Sequence, residues 1–164
     1  MLTLTDPVAM LTTPDRTDAA ARLDAGVRAV LALRLAQLAE FLDELPLADL
    51  ATFHVAEPGD TLASLAVQTR LPIAHGWCDD APYGTPGFAP AWDVLERHDT
   101  EAGAVFEFVF VLSDSGYAEV LLVPDRPDTD ETLLGLCRSY ATPAGSSLDA
   151  PAVATGLAEE GRHV

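Results

Sequence analysis

Residues 104–124 constrain the fold more than any other stretch of this 164-residue chain. They read Ala-Val-Phe-Glu-Phe-Val-Phe-Val-Leu, then Ser-Asp-Ser-Gly, then Tyr-Ala-Glu-Val-Leu-Leu-Val-Pro. Two runs rich in aromatic and β-branched residues around a short turn segment predict a β-hairpin. Side chains alternate along a strand. Phe106, Phe108, Phe110 and Leu112 therefore share one face of the first run, and Val105, Glu107, Val109 and Val111 the other. Both faces are mostly apolar, which predicts a central strand. In the second run Tyr117, Glu119, Leu121 and Val123 face one way and Ala118, Val120 and Leu122 the other, until Pro124 removes a ladder donor. Asp114 and Gly116 carry the turn chemistry.

The remaining chain supplies elements to cover this hairpin. Thr13-Pro14-Asp15 reads as a helix start. Leu23, Val27, Val30, Leu31, Leu35, Leu38, Leu42 and Leu45 then recur at three- and four-residue steps. A single helix over residues 14–45 is the expectation, of roughly 45 Å at 1.5 Å per residue, with a kink near Gly26 as the alternative. Thr52-Phe53-His54-Val55 predicts a short strand, with His54 opposite Phe53 and Val55, and Asp60 is expected to cap a helix over residues 61–69. Trp92-Asp93-Val94-Leu95-Glu96-Arg97-His98 predicts a strand paired with the hairpin, with a short helix after Pro90 as the alternative, and residues 130–140 predict a helix carrying Leu133, Leu134, Leu136, Cys137 and Tyr140. The expected fold class is α+β: an antiparallel β-meander of three to four strands with a long N-terminal helix and two shorter helices packed on one face. Residues 1–14 form an N-terminal arm or edge strand, 15–141 a single domain, and 142–164, rich in Gly, Pro and Ala, a flexible tail.

Phe53-His54-Val55, Gly59-Asp60-Thr61-Leu62 and Leu65-Ala66 together resemble the opening of a LysM module, a small βααβ domain. The resemblance implies an N-acetylglucosamine polymer as ligand. The match covers about 14 residues, carries one residue too many between Val55 and Gly59, and lacks the second helix and closing strand of the LysM type.

Charge narrows the function classes. Twenty-six acids against nine bases give a formal charge of −17, every one of those bases is arginine, and the chain has neither lysine nor asparagine. That bias points to a bacterial GC-rich genome. A field of this sign repels nucleic-acid phosphates and anionic membranes and favours basic partners. No apolar run approaches the roughly 20 residues of a membrane span. Only two cysteines, Cys78 and Cys137, occur, and no basic leader precedes Arg16, so a cytoplasmic setting is expected.

Chemistry-bearing residues gather in residues 74–91, a long stretch without periodicity. His75, Trp77, Cys78, Asp79, Asp80, Tyr83 and Phe88 are its candidate binding residues. His75 and Cys78 are ligand types that zinc prefers, with His98 or Cys137 as further ligands, but no second close pair completes such a motif. Cys78 with a histidine base is the alternative chemistry; Trp77 and Cys78 packed beneath the loop, with Asp79 and Asp80 in water, is the structural one. Glu107 and Glu119 each interrupt an apolar strand, either meeting on one sheet face or pairing with an arginine such as Arg97. No phosphate-binding loop, dinucleotide fingerprint or nucleophile elbow occurs. No catalytic set, metal site or cofactor is assigned. The expected function is that of a small acidic accessory protein acting by protein–protein binding, with a homodimer through the first helix or a sheet edge. An acidic DNA mimic that inhibits a nucleic-acid-binding protein is one alternative, and a metal- or cysteine-dependent enzyme using the His75–Cys78 loop is the other.

Overall fold

The computed structural model describes residues 1–4, 7, 23–42, 51–69, 73, 81–90, 92–112 and 117–144. Among them lie β1 (Leu2–Leu4), α1 (Ala25–Leu42), β2 (Ala51–Val55), α2 (Leu62–Gln68), β3 (Val94–Thr100), β4 (Gly103–Leu112), β5 (Tyr117–Pro124), α3 (Glu131–Tyr140) and β6 (Thr142–Pro143). The strands form one six-stranded sheet in the order β1-β2-β5-β4-β3-β6. Neighbouring pairs run antiparallel except β2 with β5 and β3 with β6, which are parallel.

The phenylalanine-rich strand β4 lies inside the sheet, bonded to β5 from Val105↔Pro124 to Leu112↔Tyr117 and to β3 from Val94↔Val109 to Thr100↔Gly103. Its residues from Val105 to Val111 are all buried. A strand covered on both faces needs apolar residues at nearly every position, which is how β4 reads. Gly103 takes φ 113° where the chain turns from β3 into β4, a conformation other residues rarely adopt.

The expected three- to four-stranded antiparallel meander is overturned by this mixed sheet. Strand β2 pairs in parallel beside β5, and periodicity within a strand carries no information about which neighbour it will meet. The helices do not share one face. Helix α1 covers the side bearing Val105, Val109, Val111, Val120 and Leu122, while α2 and α3 cover the side bearing Phe106, Phe108, Phe110, Leu121 and Val123.

The long N-terminal helix is corrected as well. Helix α1 begins at Ala25 and has 18 residues, about 27 Å. Asp24 ends the preceding chain as an N-cap, its carboxylate accepting from Val27 N at 2.8 Å. Arg126 holds that carboxylate at 2.9 Å. A Cβ on Gly26 would meet Arg126 Nη2 and Thr100 Oγ1 at 2.9 Å, so glycine lets the helix start close against the sheet. The proposed start at Thr13 and end near Leu45 lie outside the described residues.

Helix α2 is capped by Thr61 rather than Asp60. Thr61 Oγ1 accepts from Ser64 N at 3.1 Å and Ser64 Oγ from Thr61 N at 2.9 Å, a reciprocal capping box. Asp60 instead accepts from Glu57 N at 2.8 Å and closes the preceding turn. Helix α3 starts at the Asp130 cap, whose carboxylate accepts from Leu133 N at 2.9 Å. It buries Leu133, Leu134, Leu136 and Cys137, whereas Tyr140 is exposed. No helix among the described residues is long and apolar enough to cross a membrane.

Candidate functional site

Strand alternation aims Glu107 at α1, in line with Val105, Val109 and Val111. On β3, Glu96 is the direct partner of Glu107 and His98 that of Val105, which puts Glu96 and His98 on the same face. Helix α1 brings Arg34 down from above, one turn after Val30 and Leu31 and one turn before Leu38. Arg34, Glu107 and His98 are 1%, 0% and 5% exposed, a buried ionic cluster that reaches the surface only at His98.

Its geometry is fully specified. Glu107 Oε1 accepts from Arg34 Nη2 at 2.5 Å and from His98 Nε2 at 2.9 Å, and Oε2 accepts from Arg34 Nε at 2.9 Å. Arg34 Nη1 donates to Gln37 Oε1 at 2.6 Å. Burial pushes the Glu107 carboxyl upward, but the hydrogen bonds from His98 and Arg34, together with the Arg34 charge, outweigh it and hold it below the ordinary carboxylate range. An ionised carboxylate only accepts, so the His98 proton facing it sits on Nε2. A neutral His98 ring then carries its lone pair on Nδ1.

Beside this cluster runs a groove of about 810 Å³. One wall is α1, through Ala25, Ala29 and Leu33; the other is β3 and its turn, through Arg97, His98, Asp99, Thr100 and Glu101, with Pro143 of β6 and Ala144 beside them. The short side chains of Ala25 and Ala29 leave the space open. Arg97 and Asp99, neighbours of His98 along β3, are bonded to each other, Nε to Oδ1, at 3.0 Å.

The candidates read from sequence fare differently. His75, Trp77, Cys78, Asp79 and Asp80 lie outside the described residues. Tyr83 and Phe88 are half-buried in an aromatic cluster with Trp92 and Tyr140, at centroid distances of 5.6 Å for Tyr83–Phe88, 6.3 Å for Tyr83–Tyr140 and 5.8 Å for Phe88–Tyr140. Trp92 stands edge-on to Phe108 at 5.2 Å, so the cluster also roofs the apolar core beneath α3.

His98 and Cys137 do not converge, because the sheet separates the α1 face from the α3 face. Burial pushes the Cys137 thiol far up, so it behaves as a small apolar group. Glu107 and Glu119 also occupy opposite faces: Phe110, from the other side of β4, is the partner of Glu119. Glu119 lies 3.9 Å from His54 Nε2, and His54 Nδ1 bonds Thr3 Oγ1 at 3.0 Å. His54 is buried. No group of three or more metal-ligating side chains occurs among the described residues.

Arg34 is the residue that sequence reasoning missed. The available signal was an arginine within the apolar stripe Val27, Val30, Leu31 and Leu38, matched by a glutamate within the apolar face of β4. Arg97 was the wrong partner because it bonds Asp99 instead.

Comparison of the chain with family models, with curated proteins and with solved structures finds no match. The LysM resemblance gains no support from it, and β2 is bonded on both edges within the six-stranded sheet rather than closing a small βααβ unit.

Proposed function

We propose that this protein is a small cytoplasmic accessory module that binds a protein partner and performs no chemistry of its own, with the groove between α1 and β3 as its contact surface. The observation that carries this reading is the groove itself: an alanine-lined apolar wall facing the polar strand β3, seated on a buried, hydrogen-bonded ionic cluster. Apolar walls with a few fixed polar groups are the usual make-up of binding clefts. The formal charge of −17 favours a basic partner over nucleic acid.

Ala29 is exposed, so Ala29→Trp fills the groove without entering the core. In affinity capture followed by identification of the retained proteins, Ala29→Trp loses the specific partner held by the unaltered chain, while Phe88→Ala keeps it. Thermal unfolding of both variants is measured alongside. Retention of the same partner by a folded Ala29→Trp protein removes the groove from the binding surface; loss with Phe88→Ala instead moves that surface to the aromatic cluster.

A further inference from the structure

Resting on the groove reading above, we propose that the groove recognises a cationic side chain of its partner, an arginine guanidinium or lysine ammonium, through Nδ1 of His98. Glu107 takes the Nε2 proton at 2.9 Å, and a neutral ring so held offers Nδ1 only as an acceptor. Among the described residues Nδ1 has no hydrogen-bond partner, and His98 lines the groove. Such an atom takes an N–H donor and discriminates against carboxylates and carbonyls, which would face it with lone pairs alone. Ala25, Ala29 and Leu33 on the opposite wall accept the aliphatic stem that both basic side chains carry. Glu101, exposed on the adjoining turn, adds negative charge.

The charged groups around the ring are Arg34 from α1, Glu107 from β4, Glu96 on β3 itself and Glu101 in the turn. Arg97 and Asp99, which also line the groove, are ion-paired with each other at 3.0 Å. Arg34 and Glu107 neutralise each other, so the ring's own proton decides what the groove presents. A second proton on His98 turns the acceptor into a donor and sets a positive charge against the ligand's cation.

The test titrates the whole chain with n-butylguanidinium, n-butylammonium and neutral n-butylurea, followed by 15N shifts. Both cations are expected to move Ala29, His98 and Glu101, with butylurea binding about tenfold more weakly. His98→Phe abolishes cation binding, and Glu101→Gln, which leaves the buried cluster untouched, reduces it a few-fold. Equal binding of butylurea, or imidazole shifts that put the neutral ring's proton on Nδ1, overturns this inference and leaves the groove standing. Failure of every probe to move groove residues overturns the groove reading together with it.

Discussion

On one side of β4, Glu107 joins Arg34 and His98 in a charged cluster among valines; on the other, Phe106, Phe108 and Phe110 meet Leu121, Leu133 and Leu136 in an apolar cluster, with Glu119 beside Phe110. Burial of a phenylalanine ring is favourable whatever its neighbours ionise as. A buried ion pair is favourable only while every partner is present, since each charge has given up its hydration. The aromatic contacts therefore hold the fold without depending on their own ionisation, and the ionic side holds a geometry conditionally. That contrast is why the groove beside His98, rather than the aromatic cluster, is where we look for recognition.

The comparison breaks most sharply with Glu107→Ala and Phe108→Ala. Each should cost about 3–5 kcal/mol near neutral pH by urea denaturation, the first by stranding Arg34 in the interior, the second by opening a cavity. Their pH dependence should differ. The Glu107 carboxyl holds its proton less tightly in the fold than in the unfolded chain, so its stabilisation is complete above the unfolded value of about 4.3. It is lost as pH falls through the lower folded value. The deficit of Glu107→Ala should accordingly shrink on acidification while that of Phe108→Ala persists; parallel deficits would show that the cluster is not ionised.

Replacing the cluster as a whole sharpens the point. The triple variant Arg34→Met, Glu107→Leu, His98→Leu should recover most of the stability lost in Glu107→Ala, because no charge is then left unpaired, yet it should not bind butylguanidinium. Continued binding would separate recognition from His98. Smaller effects belong to the helix starts. Gly26→Ala gains helix propensity but drives a methyl against Thr100, Val105 and Arg126, a net loss of about 1 kcal/mol by thermal unfolding. Thr61→Ala should cost about 1 kcal/mol through the lost capping box of α2, with no change in groove binding.

Much of the local structure was legible because it obeys local rules. Period-two alternation placed Glu107 with Val105 and Val109, and the Asp130 cap with its following leucines marked α3. Legibility failed where two local rules compete or where no local rule applies. The leucine periodicity upstream of Gly26 hid the boundary that Asp24 and Arg126 impose, since a cap needs a partner that arrives from a hundred residues away in sequence. At the other end of α1 the helix runs to Leu42, and the chain from 43 to 50 lies outside the described residues.

By itself the sequence determined that β4 would be buried on both faces, which side chains would share each face, and that the chain would carry strong negative charge. Only the tertiary structure decided that β2 would lie parallel beside β5, that helices would close both sides of the sheet, and that Arg34 would meet Glu107 across 73 residues. Alternation and periodicity follow from the geometry of neighbouring residues. The choice of a distant partner follows from which assembly leaves no buried charge alone, and that becomes visible only once the elements are packed.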